Sequence, residues 1–256
     1  MTTETRPEAP APGSGAAPIV AAHELTRIFG EGEAEVHALE DVTVDFPRGR
    51  FTAIMGPSGS GKSTLMHCLA GLDQPTRGSV VLDGTELAGL DDRALTELRR
   101  EKVGFIFQSF NLLPVLTARE NIELPLSIAG RSPEGDWVER VIDTVGIRDR
   151  LTHRPSELSG GQQQRVAVAR ALASQPAVVF ADEPTGNLDS KSGHDVLDLL
   201  RRSVDEFGQT IVMVTHDANA ASVADRLLLL QDGHVVHDGE AGSAGEVFEL
   251  LKGLGA

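Results

Sequence analysis

The sequence has no tyrosine, one tryptophan and one cysteine, Cys68. A lone cysteine cannot close an internal disulfide and cannot supply a zinc site by itself, so disulfide frameworks, redox pairs and zinc modules are excluded. No apolar run approaches the roughly 18 residues needed to span a bilayer, and the N-terminus lacks the basic start and apolar stretch of a signal peptide. The expectation is a chain that stays in the cytoplasm. Positive charge is also scarce: 23 Lys and Arg face 38 Asp and Glu, a net charge of -15. Broad attraction to nucleic-acid phosphates or to an anionic lipid surface would have to overcome that repulsion, so a generic nucleic-acid binder is disfavoured. Glycine follows no fixed period and no heptad is sustained, which removes collagen and coiled coil.

What remains is a chain of 256 residues, 40% of them apolar, enough for one sizeable core. Residues 1–18 are rich in Pro, Ala and Gly with nothing to pack, and are expected to be a disordered tail. Beyond them, short β-type runs alternate with helical ones, which predicts a sheet covered by helices. The runs at 177–181 and 210–215 are apolar almost throughout, as strands buried on both faces of a parallel sheet must be. Val42, Val44 and Phe46 instead alternate with polar residues, the pattern of an antiparallel strand with one wet face. Between Gln108 and Leu158 the strand signal stops, and helices are predicted near 118–129 and 136–145, punctuated by Pro114, Pro125 and Pro133. A hairpin over 227–237 and a closing helix around 244–251 complete the reading.

Directly after the strand FTAIM stands Gly56-Pro57-Ser58-Gly59-Ser60-Gly61-Lys62-Ser63-Thr64, spaced as G-x-x-x-x-G-K-[ST]. Glycines let successive N–H groups curl toward one concavity, and the helix that follows turns its positive end to the same anion. Lys62 is then placed to reach β- and γ-phosphates and the Ser63 hydroxyl to meet Mg²⁺. An ordinary glycine-rich turn is the bland alternative. Cys68, on the ensuing helix, reads as a core thiol. A second site follows the strand VVFA, which ends in Asp182 and Glu183. Acids at the C-terminal tip of a buried strand lie where open α/β sheets bind ligands. Asp182 can hold Mg²⁺ through a water, and Glu183 can activate a water for attack on the γ-phosphate; a helix cap is the alternative.

At Leu158-Ser159-Gly160-Gly161-Gln162, followed by QQRVAVARAL, the chain resembles the signature segment of ABC-type ATPases. The resemblance covers about residues 19–256, with the phosphate loop, Gln108, LSGGQ, AVVFADE, Asn187-Leu188-Asp189 and His216 in the family's order. It implies an α/β P-loop NTPase core with a mainly parallel sheet, an antiparallel β subdomain, and a helical signature subdomain inserted at about residues 109–172. It also implies a head-to-tail homodimer or ATPase pair, with each ATP held between the phosphate loop of one subunit and Ser159, Gly160, Gly161 and Gln162 of the other. Gln108 is expected to meet Mg²⁺ or the attacking water and to act as a hinge, His216 to contact the γ-phosphate, and Asp189 to line the interface, cap the next helix, or both. Phe29 resembles the aromatic that stacks on adenine, although the family usually has tyrosine there; core packing stays open for it.

Having no membrane segment of its own, such a chain would work through separate transmembrane permease subunits docked near Gln108 and the helical insertion. It would meet the cytoplasmic face of the membrane only through them. Short segments such as FNLLPVLTARENIELPL and DEPTGNLDS look most like the lipoprotein-releasing, macrolide-export and antimicrobial-peptide-export group, which implies export. A cell-division or envelope-signalling ATPase beside a permease-like protein has the same motifs. Two-cassette translation factors and the coiled-coil chromosome-maintenance relatives do not fit the single motif set and the short insertion.

Overall fold

The computed structural model describes residues 17–30, 32–132 and 136–254. The tail expected over 1–18, apart from Ala17 and Pro18, and the break expected at Pro133 lie outside the described residues. In chain order the elements are β1 (Val20–Phe29), β2 (Val36–Phe46), β3 (Phe51–Met55), α1 (Lys62–Leu69), β4 (Arg77–Leu82), β5 (Thr85–Glu86), α2 (Asp92–Lys102), β6 (Val103–Phe107), α3 (Ala118–Ile128), α4 (Trp137–Val145), α5 (Gly160–Ala173), β7 (Val178–Asp182), α6 (Ser190–Phe207), β8 (Thr210–Val214), α7 (Ala218–Ala221), β9 (Arg226–Gln231), β10 (His234–Glu240) and α8 (Ala244–Leu254).

These strands form two sheets. A six-stranded sheet runs β10-β9-β3-β8-β7-β6, and a four-stranded one runs β2-β1-β4-β5. β3 pairs parallel with β8 and β9, and β7 parallel with β6 and β8, while β10 returns antiparallel on β9 through the turn Asp232-Gly233. Both turn residues have positive φ, 48° and 78°, the backbone of a two-residue hairpin whose twist matches its strands. The smaller sheet is antiparallel throughout. In β2, Val42, Val44 and Phe46 are buried and the residues between them exposed, so its alternation records one dry face.

The continuous apolar runs have an equally direct cause. Along β3, β7, β8 and β9 successive side chains enter different cores, as a period of two requires. Ala53, Val179, Ala181, Ile211, Met213, Leu227 and Leu229 face α3, α4, α5 and α6 on one side. Ile54, Val178, Phe180, Val212, Val214, Leu228 and Leu230 face α1 and the antiparallel sheet on the other. Residues 109–172 hold α3, α4 and most of α5. Thr117 and Glu120 close a capping box at the start of α3. Buried Asn121 then fixes the preceding loop, accepting from Leu113 N and donating to the carbonyls of Leu113, Leu116 and Thr117. Helix α5 approaches β6 at Gly104, where a Cβ would lie 2.6 Å from Ala171 O.

Candidate active site

Strand order brings the sequence motifs together. The phosphate loop follows β3, His216 follows β8, Glu183 follows β7 and Gln108 follows β6, and these four strands are parallel neighbours. Their C-terminal tips therefore open on one edge of the sheet, where the peptide dipoles of the following loops and helices also converge.

Gly56, Gly59 and Gly61 take φ of 150°, 81° and 100°. Side chains are also excluded by close neighbours, since a Cβ on Gly56 would sit 2.0 Å from Leu230 O and one on Gly61 2.2 Å from Ala38 O. Gly61 caps α1 without a side-chain bond and no acid occupies the first turn. In α2, α3, α5 and α6 the cap side chain accepts from a first-turn N–H instead. The open N–H groups of α1 suit an external anion. Lys62 Nζ donates to Gly56 O at 2.9 Å and to Pro57 O at 2.7 Å, lying across the loop. Burial pulls its ammonium below the ordinary lysine value, while the charges of Glu183 and Asp182 pull it back up. Pro57, Ser58, Gly59 and Ser63 are exposed, whereas Ser60 is buried with no partner for its Oγ. Thr64 is half-buried on α1.

Asp182 ends β7 half-buried. Burial raises its carboxyl above the usual range; His67 and Lys62 oppose this, and the Glu183 charge adds to it. Glu183 has a left-handed backbone, φ 45°, and its N–H donates to Val214 O, carrying the β7–β8 pairing one residue further. That turn aims the side chain at β8, where Glu183 Oε1 meets His216 Nδ1 at 3.0 Å. Gln108 is held from the other flank: its Nε2 donates to Asn187 Oδ1 and Asn187 Nδ2 donates to Gln108 O. Gly186 fits against the Gln108 side chain, where a Cβ would meet Nε2 at 2.7 Å.

Ser159 caps α5 in a reciprocal box: Ser159 N donates to Gln162 Oε1 and Gln162 N donates to Ser159 Oγ. Gly161 lies against Ser192, where a Cβ would meet Oγ at 2.9 Å. Asp189 caps α6, accepting from Ser192 N and Ser192 Oγ, and these bonds hold its carboxyl below the usual value. Ser159 and Asp189 are both exposed. Phe29 is no core residue: 41% of it is exposed. The Arg27 guanidinium, bound at both ends by Asp73, lies 4.3 Å from its ring centroid. Phe29 pairs with Val36 on β2, two residues before the Ala38 carbonyl that abuts Gly61, so it stands beside the phosphate loop. Two residues at the site escape sequence reasoning in their contacts. Asn187 holds Gln108, and Gln164 is wholly buried between motifs.

A phosphate-binding loop, a carboxylate pair and a histidine on one sheet edge define a nucleotide-hydrolysing α/β protein. The ABC transporter family model matches residues 39–186, and the chain belongs to that family. It is one of its ATPase cassettes and binds ATP. The macrolide export ATP-binding/permease protein MacB of Marinobacter nauticus is 48% identical over 223 residues, 86% of this chain and 34% of that protein. The chain thus spans about a third of the MacB relative. MJ0796, an uncharacterised ABC transporter ATP-binding protein of Methanocaldococcus jannaschii, is 46% identical over 217 residues, 82% of this chain and 92% of that protein. A solved dimeric structure of MJ0796, in a post-hydrolysis state bound to ADP and Pi, matches with a TM-score of 0.78 at 42% identity, covering 87% of this chain and 98% of the other.

Proposed function

We propose that two copies of this chain enclose ATP head to tail, hydrolyse it, and use the resulting closing and opening to drive separate transmembrane permease subunits in export of a peptide, lipoprotein or antibiotic-like compound. The observation that carries this is the pair of glycine-bearing helix starts, Gly61 before α1 and Ser159 to Gly161 at α5. One chain has two anion-binding ends, and a dimer uses both on one nucleotide.

In this reading the loop N–H groups and Lys62 hold the β- and γ-phosphates, the ammonium exchanging the Gly56 and Pro57 carbonyls for phosphate oxygens. Glu183, aimed by its left-handed backbone and held by His216, takes a proton from the attacking water. His216 then keeps its other ring nitrogen for the γ-phosphate. Ser159, Gly160, Gly161 and Gln162 close from the partner copy, with Asp189 at the interface, and Phe29 offers a ring face to adenine. The donors near the loop fit Mg²⁺: the Ser63 hydroxyl, the Asp182 carboxylate, and Gln108 Oε1, since Nε2 is committed to Asn187. Such an ion takes one or two carboxylates and completes its shell with phosphate and water. When bound, the ion neutralises charge building on the transferred phosphoryl group.

Among the described residues no helix is long and apolar enough to cross a membrane. Membrane attachment on the cytoplasmic face is therefore assigned to the permease. Its docking surface is the groove lined by Phe105, Phe107, Leu124, Pro125 and Ile128, where Ile128 is exposed. The name of the MacB relative and the resemblance of the short segments support export. The test is purification of Glu183→Gln with ATP. The proposal expects a dimer by light scattering and, from membranes, co-purification of a permease; a monomer with ATP bound contradicts it.

A further inference from the structure

Gln164 stands one helical turn after Gly160 on α5 and is fully buried. Its Nε2 donates to Pro184 O at 2.6 Å and reaches Phe107 O at 3.4 Å, while its Oε1 is enclosed with no partner. Both facing atoms are carbonyl oxygens, so the nitrogen end is fixed by its surroundings. Packing alone does not account for an amide here: leucine or methionine would fill the space but leave Pro184 O without its donor, whereas the amide pairs that carbonyl and leaves only its own Oε1 unpaired. What the amide touches is specific. Pro184 follows Glu183 and Phe107 precedes Gln108, so one side chain grips backbone carbonyls next to both of these site residues.

We infer that Gln164 is a positioning residue for hydrolysis, tying the first turn of the signature helix to the two backbone segments that aim Glu183 and Gln108. The inference rests on the catalytic reading of those two residues. A helix moves as a rod, so a shift of Ser159 and Gly160 on meeting a nucleotide reaches Gln164 within one turn. From there it passes to the Pro184 and Phe107 carbonyls. The Gln108–Asn187 bond pair extends the path to Asp189 and α6. Gln164 thus acts through its neighbours and meets no substrate atom.

Gln164→Leu and Gln164→Glu test this in the full chain, with steady-state ATP hydrolysis followed across pH and with ATP affinity and melting temperature measured alongside. Gln164→Leu is expected to lower kcat by about 10- to 100-fold while KM for ATP moves less than about threefold, the signature of misplaced groups with binding intact. In Gln164→Glu a buried carboxyl facing two carbonyl oxygens titrates high, and only its protonated form can donate to Pro184 O. Its kcat relative to the parent should therefore climb by about tenfold as pH falls from about 9 to about 6, while the Gln164→Leu ratio stays flat. A Gln164→Leu kcat within about twofold of the parent, or a Gln164→Glu ratio that ignores pH, overturns the inference. Failure of the underlying catalytic reading shows separately, as undiminished hydrolysis by Glu183→Gln in an otherwise native chain.

Discussion

His216 Nδ1 lies 3.0 Å from Glu183 Oε1, joining the residues just past the tips of two adjacent parallel strands. The contact requires the φ of 45° at Glu183, which turns its side chain across from β7 to β8. Glu183→Gln keeps the shape and removes the proposed base, so kcat should fall by about 10³-fold with ATP affinity retained. His216→Ala should cost less, about 10- to 100-fold, since it frees the carboxylate without removing it. Single-turnover hydrolysis measures both.

Lys62 acts earlier. Its ammonium lies across the loop carbonyls, and a charged hydrogen bond to phosphate contributes about 1.5 to 3 kcal/mol. Lys62→Ala should therefore weaken ATP binding by about 10- to 100-fold in calorimetry.

Asp83 ties the antiparallel sheet to the end of α2 through Lys102 at 2.8 Å and to the β2–β3 connection through Arg48 at 2.5 Å. Burial tends to raise its pKa, but the bonds and charges of Lys102 and Arg48 win and hold it below the usual carboxylate range. A depressed folded-state value means a stabilisation that is present above the unfolded-state pKa and lost as pH falls through the folded one. Asp83→Asn should cost about 1 kcal/mol in urea unfolding at neutral pH, with the difference vanishing in acid.

Cys68 is buried, and burial, with the Asp73 charge, pushes its thiol up to about 12 against the weaker pull of Arg27. It should resist iodoacetamide in the native protein at mildly alkaline pH and label only along the unfolding transition. Fast labelling of folded protein would contradict that environment.

Much of this fold is legible in the residues. FTAIM and TIVMV read directly as strands because both faces of the parallel sheet are covered and no wet face interrupts them; VGFIF, at the sheet edge, is as apolar although Phe105 and Phe107 are only half-buried. The glycine spacing announces the phosphate loop because no side chain fits against Leu230 O and Ala38 O. Helix α2 is harder to read: it buries only Leu95, with Leu98 half-buried beside the core, and most of its other residues are charged, so its apolar stripe is short. Phe29, open between adenine and core from the sequence, is exposed under Arg27. Gln164 and the Asn187–Gln108 pair are tertiary relationships across 20 to 79 residues, which local pattern does not encode.

The most direct test of the shared site mixes two inactive variants, Lys62→Ala and Ser159→Arg. Each alone spoils both sites of a head-to-tail dimer, but a mixed dimer restores one, made from the Lys62 loop of one copy and the Ser159 helix start of the other. Hydrolysis that returns on mixing is the expected result. Mixtures as inactive as either variant alone, while still forming dimers, would show that each chain completes its site by itself and would contradict the account.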